Sequence, residues 1–191
     1  MKTIYLDNNA TTQPAPEVVE AMNTALCDLW ANPSSVHRAG QKVRQKLELA
    51  RETTAKLLGC SDREIIFTGG GTEAANLALR SAMCAQPTKS VLVTSRTEHS
   101  CVRQTAQILS KNKQAEVVWL KTDIHGMLDI DMLADTLKGR ADEIALVSVM
   151  WANNETGVIQ PIEQIGNLCR EHGVRFFVDG VQWVGKMPTN L

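Results

Sequence analysis

Four short stretches of the chain carry residues able to do chemistry. The first, Thr68-Gly69-Gly70-Gly71-Thr72-Glu73, follows the apolar run Ile65-Ile66-Phe67 and leads into the helix-like Ala74-Ala75-Asn76-Leu77. Glycines permit a tight turn with exposed backbone N–H groups, and a helix start adds the positive end of its dipole. The segment is therefore a seat for a phosphate, to which Thr72 adds a hydroxyl. The second stretch runs from Thr94 to His99, the third is Trp151-Ala152-Asn153-Asn154-Glu155-Thr156-Gly157, and the fourth is Asp179-Gly180-Val181-Gln182. They offer an imidazole, side-chain amides and a carboxylate. The glycines also fit a loose G-x-G-x-x-A dinucleotide fingerprint, with Glu98 at the spacing of a ribose-binding acid, and taken alone the two readings stand level. A Walker phosphate loop is excluded, because no Gly-Lys-Ser or Gly-Lys-Thr follows. Plainer readings exist for each stretch: a glycine turn, a surface histidine, an Asn-Asn turn, and an aspartate capping the next helix.

The elements that must position these residues alternate along the chain. A polar arm, residues 1–12, precedes Pro14 and Pro16, after which Val18, Val19, Met22 and Leu26 recur at helical spacing. Asn32-Pro33-Ser34-Ser35 supplies stop and cap signals, and Val36, Gly40, Val43, Leu47, Ala50 and Leu57 mark a long amphipathic helix ending at Gly59. Its basic residues Arg38, Lys42, Arg44, Lys46, Arg51 and Lys56 are expected to form a solvated face. From there, apolar runs at 65–67, 91–93, 117–120, 144–150 and 174–178 predict strands. Helical stretches are expected near Thr72–Met83, Cys101–Leu109, Asp129–Leu137 and Ile162–His172. Continuous apolar strands with intervening helices call for an α/β fold, a mostly parallel sheet covered by helices on both faces, with residues 13–191 as one domain behind the arm.

In such sheets ligands bind beyond the carboxyl ends of the strands, which is where all four stretches lie. A phosphate cradle, a flat imidazole, amides and a carboxylate meeting at one sheet edge suit a planar phosphorylated aromatic cofactor better than a dinucleotide. For pyridoxal phosphate, a carboxylate must keep the ring nitrogen protonated, and Asp179 is the candidate. His99 can stack on the ring, and Asn154 and Gln182 can hydrogen-bond its phenolic oxygen.

Composition narrows the alternatives. The 191 residues are 43% hydrophobic, as in an ordinary globular domain, and 20 basic against 21 acidic residues give a net charge of -1, so no field attracts nucleic acid. The opening residues lack a long apolar run, so no membrane segment and a cytoplasmic location are expected. Five scattered cysteines read as reduced thiols rather than a disulfide framework, and four dispersed histidines indicate no metal.

Taken together, Tyr5 to Thr12, Asn32-Pro33-Ser34-Ser35-Val36-His37, Gly71-Thr72-Glu73, Thr97-Glu98-His99, Asn153 to Gly157 and Val178 to Lys186 resemble the cysteine desulfurases of the class V aminotransferase group, in order and from the arm to the last residues. The resemblance implies the fold-type-I pyridoxal-phosphate large domain, here its amino-terminal part, with Gly71 and Thr72 on the phosphate, His99 on the ring as the catalytic imidazole, Asp179 at the ring nitrogen, and Asn154 and Gln182 completing the site. It implies L-cysteine as substrate, with alanine left and sulfur carried as a persulfide toward iron–sulfur clusters or thiolated tRNA. A homodimer and a sulfur-acceptor or iron–sulfur scaffold protein are the partners it implies. A selenocysteine lyase or another enzyme of the same group, and an inactive fragment that at most binds cofactor or a partner, are the alternatives. Two features depart from the family pattern: Gly69 and Gly70 stand where a serine or other small side chain is usual, and Trp183 replaces a small residue. The family's Schiff-base lysine belongs to a Ser-x-His-Lys segment expected beyond Leu191, and its persulfide cysteine to a later domain. Lys186 is not expected to take the lysine's role, nor any of the five cysteines the persulfide's.

Overall fold

The computed structural model describes residues 4–189. They form two compact units, one made of Thr68–Met187 and the other of residues 4–67 with 188–189.

Within Thr68–Met187, strands β1 (Val91–Ser95), β2 (Glu116–Leu120), β3 (Ile144–Met150) and β4 (Phe176–Asp179) form a sheet in the order β2-β1-β3-β4. All three pairings are parallel. Parallel neighbours need a long crossover, and helices α4 (Ser100–Lys111), α5 (Ile130–Arg140) and α6 (Ile162–Glu171) supply the three, with α3 (Gly71–Cys84) leading in. Strand β3 coincides with the expected run at 144–150, and the other three strands agree with the sequence to within two residues at each end.

The apolar strands divide their side chains between two cores. Val91, Val93, Ile144, Val147 and Val149 face Leu133 and Leu137 of α5 and Ile165 and Cys169 of α6. On the other face, Leu92 and Leu146 meet Ala75 and Leu79 of α3 and Val102, Ala106 and Leu109 of α4. Ile144 and Val147 share a face despite their odd spacing because the register slips by one residue: Val91 lies opposite Ile144, whereas Leu92 lies opposite Leu146. Leu79, Leu133 and Leu137 are fully buried, each side chain contributing about 1.5–3 kcal/mol of transfer free energy. The chain leaves β1 toward β2 on one side and then crosses to β3 on the other. The loops after β1 and β3 therefore diverge at their carboxyl ends and open a crevice between them.

In the other unit, α1 (Pro16–Asp28) starts with a proline in its first turn and buries none of its residues. Helix α2 (Arg38–Leu58) is capped by His37, whose Nδ1 accepts from the Gly40 N–H at 3.2 Å, and it ends at Gly59 with φ 75°. Gly40 is required there: a Cβ would lie 2.6 Å from the carbonyl oxygens of Asn32 and Ser35. The apolar stripe of α2 is less covered than its pattern predicts, with only Gly40 and Ala55 buried.

Two expectations fail in this unit. Ile65-Ile66-Phe67 is extended but is not a strand, because among the described residues nothing pairs with it. It follows a single 3₁₀ turn, Asp62–Glu64, closed by a capping box in which Ser61 N donates to the Glu64 carboxylate at 2.7 Å. Arg51, assigned to a solvated face, instead lies with its guanidinium 4.9 Å from the Phe67 ring centroid and donates to the Ile65 carbonyl. It pins the segment to α2 through a cation–π contact and a charge-assisted hydrogen bond.

Among the described residues no helix is long and apolar enough to cross a membrane, and no group of three or more His, Cys, Asp or Glu is arranged to hold a metal.

Candidate functional site

The glycine segment makes the amino-terminal cap of α3. Gly70 is the N-cap, with φ 156° and ψ 176°, a conformation that side-chain-bearing residues rarely adopt, and no side chain caps the helix start. A Cβ on Gly70 would meet nothing within 4 Å, so the space above the turn is open. The Gly69 N–H donates to Oε2 of Glu73 at 2.6 Å, and the Thr68 hydroxyl donates to the Gly70 carbonyl at 3.1 Å. A carboxylate of the chain's own thus sits on one of the turn's N–H groups, in the role a phosphate oxygen would take. A Cβ on Gly71 would lie 3.0 Å from Cγ2 of Val181, so the turn approaches the segment that follows β4.

After β1 the chain gives Glu98 and His99. His99 is exposed and is the N-cap of α4: its Nδ1 accepts from the Cys101 N–H at 3.3 Å and lies 3.0 Å from Cys101 Sγ. Glu98 is buried, only 3% exposed. Its Oε1 accepts from the Met150 N–H at 2.9 Å and from the Ser95 hydroxyl at 3.3 Å, while Oε2 has no partner. Burial pushes its pKa up to about 8, with the charge of Asp179 adding to the rise and the Met150 N–H and Ser95 hydroxyl opposing it. A buried, mostly neutral carboxyl tied to the end of β3 cannot bind a ribose, which removes the dinucleotide reading of the glycine turn.

Asp179 closes β4, is 9% exposed, and accepts at Oδ1 from the Val181 N–H at 3.1 Å. It lies opposite Met150 in the sheet, and its carbonyl accepts from the Trp151 N–H at 2.9 Å. Its charge also reaches Cys101, where burial and Asp179 together hold the thiol above its ordinary pKa despite the opposing hydrogen bonds. Gly71 is therefore connected through Val181 to Asp179, Thr72 stands in the first turn of α3, and His99 is held against Cys101 at the start of α4. Asn154 is half-buried in the loop after β3, and Gln182 is half-buried in the segment after β4, where its Oε1 accepts from Lys186.

Several contributors escape sequence reasoning. The Asn-Asn loop is shaped by Asn153, whose amide donates to the Thr97 carbonyl at 2.8 Å and whose Oδ1 accepts from the N–H groups of Glu155 and Thr156 at 2.9 and 2.8 Å. Trp151 and Trp183 stack with centroids 4.4 Å apart and planes 6° apart. This is the packing consequence of the bulky residue at 183. Both tryptophans follow strand ends, and the signal was available once β3 and β4 were known to be neighbours.

The aminotransferase class-V family model matches residues 4–191. A cysteine desulfurase from Trichormus azollae is 46% identical over 191 residues, an alignment covering all of this chain and 47% of that protein. A solved NifS-like protein superposes with a TM-score of 0.92 at 35% identity, covering 98% of this chain and 51% of its own. The structure of SspA in complex with cysteine gives 0.91 at 34% identity, over 98% of this chain and 53% of its own. The chain spans about half the length of the curated relatives it matches. Both the sequence along its whole length and the fold place it with the cysteine desulfurase homologues, and it belongs to the class-V aminotransferase family.

Proposed function

We propose that Thr68–Met187 forms the cofactor-binding part of a pyridoxal 5′-phosphate-dependent cysteine desulfurase, which releases L-alanine from L-cysteine and passes the sulfur on as a persulfide. One observation carries the reading. The turn at Gly71 approaches Val181, whose N–H donates to Asp179, and Asp179 lies opposite Met150, whose N–H donates to Glu98 next to His99, so an acid, an imidazole and an anion seat share one neighbourhood.

The residues present fit the cofactor. The turn before α3 is open at Gly70 and already receives a carboxylate on the Gly69 N–H, as a phosphate site at a helix start requires. When bound, pyridoxal phosphate supplies an electron sink for cleavage of bonds at the substrate Cα. The N–H of Gly71 and the Thr72 hydroxyl would hold the phosphate. Asp179, buried and oriented by the Val181 N–H, would keep a proton on the ring nitrogen. Glu98 is held largely neutral near pH 7, so a second negative charge does not compete with Asp179 for that role. The exposed ring of His99 would lie on the cofactor face and move a proton at the substrate. Asn154 and Gln182 are the amides proposed for the phenolic oxygen. Because the chain spans half of its relatives, turnover, dimer formation and delivery of sulfur to an acceptor or iron–sulfur scaffold protein are proposed for a protein carrying both halves of the family fold.

Two measurements test this. Titration of the chain with pyridoxal phosphate, followed by tryptophan fluorescence, is expected to give saturable binding that inorganic phosphate competes and that Asp179→Ala weakens about tenfold, or roughly 1.4 kcal/mol. No saturable binding sinks the cofactor assignment. A protein extended by the second half of a relative, loaded with cofactor and given L-cysteine, is expected to release alanine, with sulfide appearing once a thiol reductant is added; neither product would sink the substrate assignment.

A further inference from the structure

The stretch from Glu98 to Cys101 holds a thiol that the proposed chemistry does not use. Cys101 lies in the first turn of α4, partly buried, with Sγ 3.0 Å from Nδ1 of His99, and its own backbone N–H also points at Nδ1, at 3.3 Å. A backbone N–H can only donate, so Nδ1 must offer its lone pair, and the proton of a neutral ring then resides on Nε2. The thiol beside the same lone pair can only donate as well. Burial and the charge of Asp179 keep that thiol protonated, which makes it a donor and a poor nucleophile.

We infer that Cys101 is a positioning residue: with two donors converging on Nδ1 it fixes His99 as the Nε2–H tautomer and fastens the ring to the start of α4, so that the proton-bearing edge is the one turned away from the helix. This rests on His99 being the imidazole of the proposed site, and it adds what sets the state of that imidazole. Alanine at 101 keeps the backbone donor and removes the thiol donor, whereas serine restores a hydroxyl donor.

The test is made on the cofactor-free chain, so that failure of the cofactor reading and failure of this inference are separate results. Long-range proton–nitrogen correlation spectra of histidine-labelled protein, recorded where the ring is neutral, are expected to show an acceptor-type Nδ1 and a protonated Nε2 for His99. In Cys101→Ala the ratio of Nε2–H to Nδ1–H forms is expected to fall about fivefold, the effect of losing one net hydrogen bond, and in Cys101→Ser to stay within about twofold of the parent, well inside the standing scatter of one such bond. A protonated Nδ1 in the parent overturns the inference. So does an alanine variant whose tautomer ratio is unchanged, or a serine variant that behaves like alanine. If the alanine variant fails to fold, the parent and serine spectra decide alone: an Nδ1–H ring in either one overturns the inference.

Discussion

Glu98 gives the sharpest prediction, because its burial converts directly into a dependence of stability on pH. Its pKa lies at about 8 in the folded chain against an ordinary 4.5. Below about pH 4.5 the carboxyl is protonated in both folded and unfolded states, and its contribution to stability is fully present. As pH rises from there the unfolded chain releases the proton while the folded chain retains it, so stability is lost by about 1.4 kcal/mol per pH unit until the folded carboxyl also ionises near pH 8. Across that window the loss is on the order of 5 kcal/mol, of which about 3 kcal/mol has gone by pH 7. Glu98→Gln keeps an oxygen for the Met150 N–H and the Ser95 hydroxyl but carries no charge at any pH. Urea unfolding of both proteins, followed by tryptophan fluorescence at intervals from pH 5 to 8.5, should give a stability difference that swings toward the glutamine variant as pH rises. Titrating groups that do not interact with Glu98 cancel in that difference. At low pH the variant should be the weaker protein, by about 1–3 kcal/mol, because its amide N–H groups occupy the place where Oε2 has no partner. Parallel pH profiles for the two proteins would refute the claim that Glu98 is folded in its neutral form.

Three further outcomes are expected. Gly70→Ala introduces a Cβ into open space but at a backbone angle it tolerates poorly, so it should cost about 1–3 kcal/mol in urea unfolding and weaken phosphate or pyridoxal-phosphate binding by opening the turn. Trp183→Ala should abolish the near-ultraviolet circular dichroism of the Trp151–Trp183 stack and remove about 0.5–1.5 kcal/mol beyond the loss of buried area. Leu137→Ala, at a fully buried position between α5 and the sheet, should destabilise by about 2–5 kcal/mol with no change in the urea m-value.

What was legible in the chain follows from which properties are local. The run Ile144–Met150 is apolar at every position but one, and a fully covered parallel strand is the structure that such a run forms, so both ends of β3 were readable. Ile65-Ile66-Phe67 has the same composition, yet being a strand is a property of a pair, and composition does not reveal whether a partner lies alongside. Arg51 looked like one more cation on a charged face because its partners, the Ile65 carbonyl and the Phe67 ring, lie more than three helical turns away in sequence. The positions of Asp179 at the end of β4 and His99 in the loop after β1 were legible because both follow apolar runs that form strands. That Glu98 faces inward is not legible locally: its two neighbours in the motif are polar, and nothing nearby marks the Met150 N–H, 52 residues on, as its destination.

The hydrogen bond from Gly69 to Glu73 has a consequence for recognition. A glycine-rich turn is among the most mobile segments a chain can have, and a ligand that must organise it loses affinity to the entropy of doing so. Here a residue one helical turn along holds the turn in shape without any guest. The ordering is completed during folding, and an arriving anion would meet a Gly69 N–H already held in place. An incoming phosphate would exchange places with a carboxylate rather than gather a loose loop, which favours rapid, reversible loading, and substitution of Glu73 should show itself first in the association rate.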